Sequence, residues 1–485
     1  MFGREEKLLL FLVLLQTLLH YSVLSNYYFG DEGYYLTWAW LTNRGELIYR
    51  DTFHMYSPGP TLLLAFFFKI LGESLATARI LVTLVEVAIT VTIFTLAKKM
   101  FGGKEALIAS AIFVVCEVQF WGSWMLAEPF MTLFLAVSAL FLYAYYFERN
   151  DWRTLLLAGV SSGLSIIFKQ TGLYVFLAFL FYAWLQNKKN PRNFRRDMAL
   201  LLLGCATPLL LTASVFFLFG ALSEMIYNVF IFNFITHAQA LLTPITLLQL
   251  PLIALILTPA VYVLLSKNER PAVSFLIIWI FGGLFNIFPS AYWPYHYFPA
   301  LPPAVILAGL VLKEFSEDAK RAVRLRSGLS FEDFRKALIA ELLMLVIICV
   351  GAQLLILPHM DKDAHLDSLL KVSSYIKSNT NESDKLIVFP MGPGLYFFSG
   401  REPASYYSMF CCGMGNSNSE IVNKIIYDIE KNRPSRIILL DSPQSMPLAK
   451  RSQLMYVYLT DAYRDEKIFY LPQFSCTFRI MKRVQ

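Results

Sequence analysis

The feature that most constrains this chain is a series of long apolar runs whose connecting loops alternate between rich and empty in Lys and Arg. Runs approaching spanning length lie at roughly 8–25, 77–97, 105–121, 129–147, 154–170, 173–186, 198–219, 246–265, 272–289, 298–312 and 337–357. A helix rises about 1.5 Å per residue, so about 20 apolar residues cross about 30 Å of hydrocarbon. The loops with Lys98/Lys99/Lys104, Arg149/Arg153, Lys188/Lys189/Arg192/Arg195/Arg196, Lys267/Arg270 and 313–336 hold the bases. The loops between them, near 122–128, 171–172, 220–245 and 290–297, hold none. Positive charge stays on the cytoplasmic side. That bias holds only if Thr61–Leu71, eleven residues including Lys69, lies along the interface; were it to cross, every later loop would change sides. The expectation is a polytopic all-α bundle of about eleven transmembrane helices with a cytoplasmic N-terminus.

Composition agrees with a membrane protein. Only 16% of the 485 residues are charged and 56% are hydrophobic, against about 25% charged in soluble chains. The net charge of +7 sits in short loops; it reports topology and gives no sign of nucleic-acid binding. The run Leu8–Leu24 has no small-residue cleavage site after it and reads as a retained first helix. The six cysteines have no metal-ligand spacing. Cys116, Cys205 and Cys349 sit in apolar runs as packing residues, while Cys411, Cys412 and Cys476 leave room for one disulfide in the tail.

Two domains are expected: a membrane module over 1–357, with 26–76 as its first outer loop and juxtamembrane helices, and an extracytoplasmic α/β domain over 358–485. In the tail, helical patterns at 365–378, 419–432 and 448–460 alternate with strand patterns at 385–389, 436–441, 468–471 and 476–481. That alternation implies a partly parallel sheet. The cytoplasmic loop 313–336 carries a helix-start pattern at Ser330 with Asp333 three residues on. Asn381-Glu382-Ser383 is a formal glycosylation sequon in the exported part.

Ionisable groups at a membrane are costly, so each calls for a reason. Asp31 and Glu32 follow the first run directly. Neighbouring carboxylates repel, which raises one pKa and improves it as a general base; the plainer alternative is a solvated pair capping a juxtamembrane helix. Glu128, before Pro129, is either a first-turn acid favoured by the helix dipole or a second functional carboxylate. Lys169 ends a run on the outer side, against the charge bias. It is either a snorkelling anchor or a cation for a phosphate. In 289–303, Tyr297 and its aromatic neighbours suit an interfacial belt, and His296 has a hydrogen bond to offer a phosphate oxygen. His54 and Arg50 in the first outer loop are further phosphate candidates. Glu86 lies inside a span and receives no role; Glu117 is placed toward the outer end of its span.

GDEGYY, then YRDTFHMYSPGPTLLLAFFFKILG, then TARI leading into a span ending AKKMFGG, resembles the GT-C glycosyltransferases. The branch it is most similar to is the protein O-mannosyltransferase and aminoarabinose-transferase group, glycosyltransferase family 39 and its relatives. LAEPFMTLFLAVSALFLYAY, GLSIIFKQTGL and YHYFPALPPAVILAG resemble later motifs of the group, in order across about 1–312. The resemblance implies transfer of a sugar from a polyprenyl-phosphate carrier, dolichyl or undecaprenyl, to a glycan, lipid or protein acceptor at the outer membrane face. It implies Asp31 as the essential acid with Glu32 beside it, and Glu128 at the second acidic position. Relatives often carry HKPP where this chain reads YSPGP, so Ser57 replaces a lysine that binds the carrier phosphate; Lys169, His296, Tyr297, Arg50 and His54 are left to supply that contact. No cofactor is required, although Asp31 and Glu128 are the positions where Mg or Mn would be held. Two other classes compete: a transporter or flippase of a lipid-linked precursor, which calls for mid-span charges and a pseudo-repeat, and a non-catalytic membrane-anchored binding protein.

Overall fold

A computed structural model of the chain describes residues 3–24, 30–149, 151–237, 250–266, 270–287, 293–325, 363–390, 392–409, 419–441, 453–471 and 476–484. The chain divides into two compact units. One comprises 1–23, 80–214 and 240–359; the other comprises 24–79, 215–239 and 360–485.

The first unit is a helical bundle. Among the described residues, Leu75–Met100, Ala127–Arg149, Pro191–Leu218 and Pro294–Ser316 are long and apolar enough to cross a membrane. Trp152–Phe168, Gly172–Asn187, Leu250–Leu265 and Pro271–Ile287 are apolar but shorter. The run expected at 337–357 and the Ser330/Asp333 helix start lie outside the described residues.

Helix packing here depends on small residues, because in lipid close backbone approach substitutes for a hydrophobic drive. A Cβ on Gly204 would fall 2.3 Å from the Leu156 carbonyl, and one on Gly159 2.5 Å from that of Leu201. Trp152–Phe168 and Pro191–Leu218 therefore meet backbone to backbone. Ser138 and Ser162 join Ala127–Ala144 to Trp152–Phe168 through hydroxyls 2.8 Å apart. Leu202, Leu203, Leu210 and Leu211 point outward and are exposed, as a lipid-facing surface requires. Cys116 and Cys205 are buried free thiols.

Two stretches expected as loops are helical. Within 220–245, helix Leu222–Ile226 continues through a wider-wound Tyr227–Phe232 into Asn233–His237. The span expected at 298–312 runs on as Leu301–Leu325; the Lys, Glu, Ala and Arg residues that mark its end as polar are also good helix formers.

In the second unit, within the segment expected as an outer loop with juxtamembrane helices, the Asp31/Glu32 stretch is the first turn of helix Gly30–Asn43, and most of that helix is buried. Carboxylates in a first turn face the positive end of the helix dipole, which favours this start. Helix Gly59–Leu71, with Pro60 in its first turn, buries Leu64, Ala65 and Phe68 and exposes Leu62, Phe66 and Ile70. At about 1.5 Å per residue its 13 residues extend about 20 Å, short of a crossing.

The tail folds around one four-stranded sheet. β1 (Leu386–Phe389) runs parallel to β2 (Arg436–Asp441). β3 (Tyr463–Leu471) and β4 (Cys476–Arg483) form an antiparallel pair, and β4 also pairs antiparallel with β2, giving the order β1-β2-β4-β3. Helices Asp363–Asn379, Ser419–Asn432 and Gln453–Ala462 accompany it. The expected partly parallel α/β arrangement is thus present, with β3 longer than its sequence pattern. The tail disulfide considered above falls outside the described residues and side chains.

This sheet domain is bound to the early segment within the same unit. The Phe53 amide donates to the Tyr406 carbonyl at 2.9 Å. The Tyr406 hydroxyl donates to the Tyr49 carbonyl at 2.8 Å, and the Thr37 hydroxyl to the Pro393 carbonyl at 2.7 Å.

Candidate functional site

The functional candidates form one cluster in each unit. In the first, three separate elements converge. Glu128 sits in the first turn of Ala127–Ala144, Lys169 directly follows Trp152–Phe168, and His296 lies in the short 3-10 helix Pro294–Ala300. Phe168 stacks on Phe130 and Phe134, with centroids 5.5 and 5.0 Å apart, which fixes the end of its helix beside the start of the other. Lys169 Nζ is ion-paired to Glu128 Oε1. His296 Nδ1 lies 3.8 Å from the same oxygen. The Lys169 ammonium also stands 5.5 Å from the Tyr295 ring centroid, within cation–π range. Side-chain exposure is 14% for Lys169 and 3% for Glu128, so this is a largely dehydrated pair with one accessible edge on the lysine. An anion reaching that edge would meet an ammonium held in position by a carboxylate and an aromatic face. Tyr297, a phosphate candidate from sequence, is fully buried.

In the second unit, Glu32 is fully buried and accepts a hydrogen bond from Arg79 Nη2 at 3.2 Å. Asp31, one residue earlier, is half-buried. The adjacent carboxylates thus have different environments: one is paired in the interior, the other reaches the surface. Arg79 was visible only as part of TARI, and its partner lies 47 residues away; no local pattern links them.

His54 is corrected from phosphate ligand to core residue. It has no exposed surface; Nδ1 meets the Tyr34 hydroxyl and Nε2 the Thr61 hydroxyl at 3.0 Å. Burial pushes its pKa down to about 3, keeping the ring neutral. Arg50 is exposed and makes a two-pronged contact with Asp51, at 2.8 and 2.7 Å. That contact holds the Asp51 carboxyl below its ordinary range.

Glu117, placed by its sequence position toward the outer end of its span, is buried and meets His20 Nε2 at 2.5 Å, while His20 Nδ1 meets Thr83 Oγ1 at 3.1 Å. A single His inside the first apolar run was the available signal. Hydrogen bonds of this kind satisfy buried polar groups between helices. Among the described residues, no group of three or more His, Cys, Asp or Glu side chains is arranged to hold a metal ion.

Comparison with known proteins adds the following. Residues 56–216 match the family model described as dolichyl-phosphate-mannose-protein mannosyltransferase. No curated protein sequence matches the chain. The fold is similar to ArnT from Cupriavidus metallidurans bound to undecaprenyl phosphate, with 14% identity, 97% of each chain covered and a TM-score of 0.61. It is also similar to the oligosaccharyltransferase AglB from Archaeoglobus fulgidus in complex with an inhibitory peptide and a dolichol-phosphate. There identity is 12%, coverage is 97% of this chain and 74% of that one, and the TM-score is 0.57. A third likeness, to the arabinofuranosyltransferase AftD from mycobacteria, has 13% identity, 99% and 42% coverage and a TM-score of 0.53. The protein is an integral-membrane protein of the glycosyltransferase fold class. More specifically, its fold is the one these three membrane glycosyltransferases share, and within it residues 56–216 match the mannosyltransferase family model.

Proposed function

We propose that the protein moves a sugar from a polyprenyl-phosphate carrier to an acceptor at the outer membrane face, with inversion at the anomeric carbon. The observation that carries this reading is the fold shared over 97% of both chains with a protein captured holding undecaprenyl phosphate. The Lys169–Glu128 pair supports it locally, because a leaving phosphate needs a fixed cation in a partly dehydrated site.

In the proposed reaction the acceptor hydroxyl oxygen bonds to the anomeric carbon as the bond from that carbon to the phosphate oxygen breaks. Both electrons of the broken bond leave with the polyprenyl phosphate, and Asp31 takes the acceptor proton. General-base assistance of this kind is worth about 10²–10⁴-fold, and the sugar passes through an oxocarbenium-like state. The phosphate leaves already ionised and needs no general acid. Lys169 and His296 stabilise it; Glu128 orients Lys169, and Glu32, paired to Arg79, holds the turn that presents Asp31. The membrane arrangement belonging to this reading has about eleven crossings, a cytoplasmic N-terminus and an exported tail.

The test is incubation of membranes containing the protein with radiolabelled sugars on dolichyl and undecaprenyl phosphate. The reading expects label in an acceptor with inverted anomeric configuration and free polyprenyl phosphate in equal amount. Carrier moved across the bilayer with its sugar still attached would contradict it.

A further inference from the structure

Apart from the Lys169 cluster and the Asp31/Glu32 turn, the second unit holds an open-sided pocket of about 370 Å³, on whose wall Arg50 is the one residue named above as a phosphate candidate. Its walls come from the segment after helix Gly30–Asn43, the 402–406 turn and one face of helix Ser419–Asn432. The walls are cross-tied. The Ser405 hydroxyl donates to Asp428 at 2.9 Å, Asn432 Nδ2 to the Ala404 carbonyl at 2.7 Å, and the Leu47 amide to Asp51 at 2.8 Å. A site so framed is formed before a ligand arrives, which lowers the ordering cost of binding.

Its charge pattern narrows the ligand. Four carboxylates line it: Glu46, Asp51, Glu402 and Asp428. Four cations balance them: Arg50, Lys385, Lys424 and Lys431. Arg50 is bonded to Asp51 and Lys424 to Asp428 at 2.7 Å. Among the described residues, no side-chain hydrogen bond or ion pair engages Glu46, Glu402, Lys385 or Lys431. Thr52, only 4% exposed, adds a buried hydroxyl with no hydrogen-bond partner. Burial, with repulsion from Asp51 and Glu402, outweighs the attraction of Lys385 and Arg50 and holds the Glu46 carboxyl above its ordinary range.

A lining with equal numbers of both signs offers no net attraction to an anion or a cation. It does offer two acceptors, two donors and a hydroxyl, all uncommitted. A sugar hydroxyl donates and accepts at once, so an array of alternating donors and acceptors suits it. The volume lies near the lower end of the roughly 300–1,000 Å³ range of small-molecule sites, room for one or two sugar rings. The polar walls disfavour a prenyl or acyl chain.

We infer that this cavity is a saccharide site that takes one or two neutral sugar rings of the acceptor through their hydroxyls. Its assignment to the acceptor rests on the glycosyltransferase reading; binding of sugar does not.

The experiment uses the full chain purified in detergent. Saturation-transfer NMR is recorded with methyl glycosides of mannose, glucose, galactose, arabinose and N-acetylglucosamine, with and without sodium phosphate. Lys385→Met, Glu402→Gln and the near-isosteric Thr52→Val are compared with the wild type. At least one glycoside is expected to bind, phosphate to leave it in place, and Lys385→Met and Glu402→Gln each to weaken it about tenfold, the loss of one hydrogen bond to a charged group. Polyprenyl-phosphate binding should be equal in all four proteins, which also shows that the variants fold. The inference is overturned if no glycoside binds, if phosphate displaces it, or if all three variants bind as tightly as wild type. Variants that lose sugar binding yet transfer sugar to the acceptor as before overturn the acceptor assignment. Sugar binding that weakens as expected in a protein that transfers nothing upholds the cavity and overturns the catalytic reading alone.

Discussion

Lys169 and Glu128 form an ion pair whose cost can be worked from its burial. Their side chains are 14% and 3% exposed, so the pair belongs with buried ion pairs and not with solvated ones, which contribute about 0–1 kcal/mol. Removing one partner of a buried pair leaves an uncompensated charge and costs about 3–5 kcal/mol, whereas replacing both with groups of similar volume is often close to neutral. Lys169→Met strands the more deeply buried carboxylate and should show the full loss. Glu128→Gln should cost less, because the lysine retains an exposed edge toward which it can snorkel. In the double variant the cost of Lys169→Met should largely disappear. The assay is reversible denaturation of all four proteins in mixed micelles, scored as a double-mutant cycle, alongside binding of polyprenyl phosphate. Stability should return in the double variant while phosphate binding does not, because the cation is gone. Strictly additive single costs, with coupling below about 0.5 kcal/mol, would refute the pairing. Undiminished carrier binding in the double variant would refute the phosphate role of Lys169.

Other outcomes follow from the same geometry. The neutral His54, with its pKa near 3, lies below the ordinary histidine value of about 6.5, so the unfolded chain binds a proton that the folded chain refuses. The His54 contribution is therefore complete above about pH 6.5 and declines as pH falls toward 3, by about 2 kcal/mol between about pH 7 and pH 5; His54→Phe should flatten that slope in denaturation measured at both pH values. Breaking the Glu32–Arg79 pair by Arg79→Gln should lower the yield of folded protein by size-exclusion chromatography, and adding Glu32→Gln should recover most of it. Gly204→Ala would place a methyl group 2.3 Å from the Leu156 carbonyl, forcing two helices apart at about 1–3 kcal/mol in the same denaturation assay. A Gly204→Ala protein as stable as wild type would rule out that close contact.

What the sequence revealed depends on how local each signal is. The four long apolar helices among the described residues and the strand–helix alternation of the tail were legible because apolar periodicity and alternation are properties of neighbouring residues. The helical character of 222–237 was not, because that stretch was read only for its lack of Lys and Arg. For Asp31 and Glu32 the sequence left two readings open, a reactive pair in an outer loop or a pair capping a juxtamembrane helix, and their place in a first turn matches the helical one. Partnerships between distant residues had no local signature. Glu32–Arg79 and His20–Glu117 join residues 47 and 97 positions apart, and His54 is separated from a surface role by Tyr34 and Thr61, which occupy its two nitrogens. Lys169 was the clearest single-residue clue, a cation at the end of an apolar run where the expected charge bias calls for none.

The most direct measurement is single-turnover transfer by the purified protein in liposomes, using a chemically defined labelled sugar on polyprenyl phosphate, with wild type and Asp31→Asn side by side. Wild type should release one polyprenyl phosphate for each sugar delivered, and Asp31→Asn should bind the carrier normally while transferring at least about 100-fold more slowly. Equal rates in the two proteins would contradict the account.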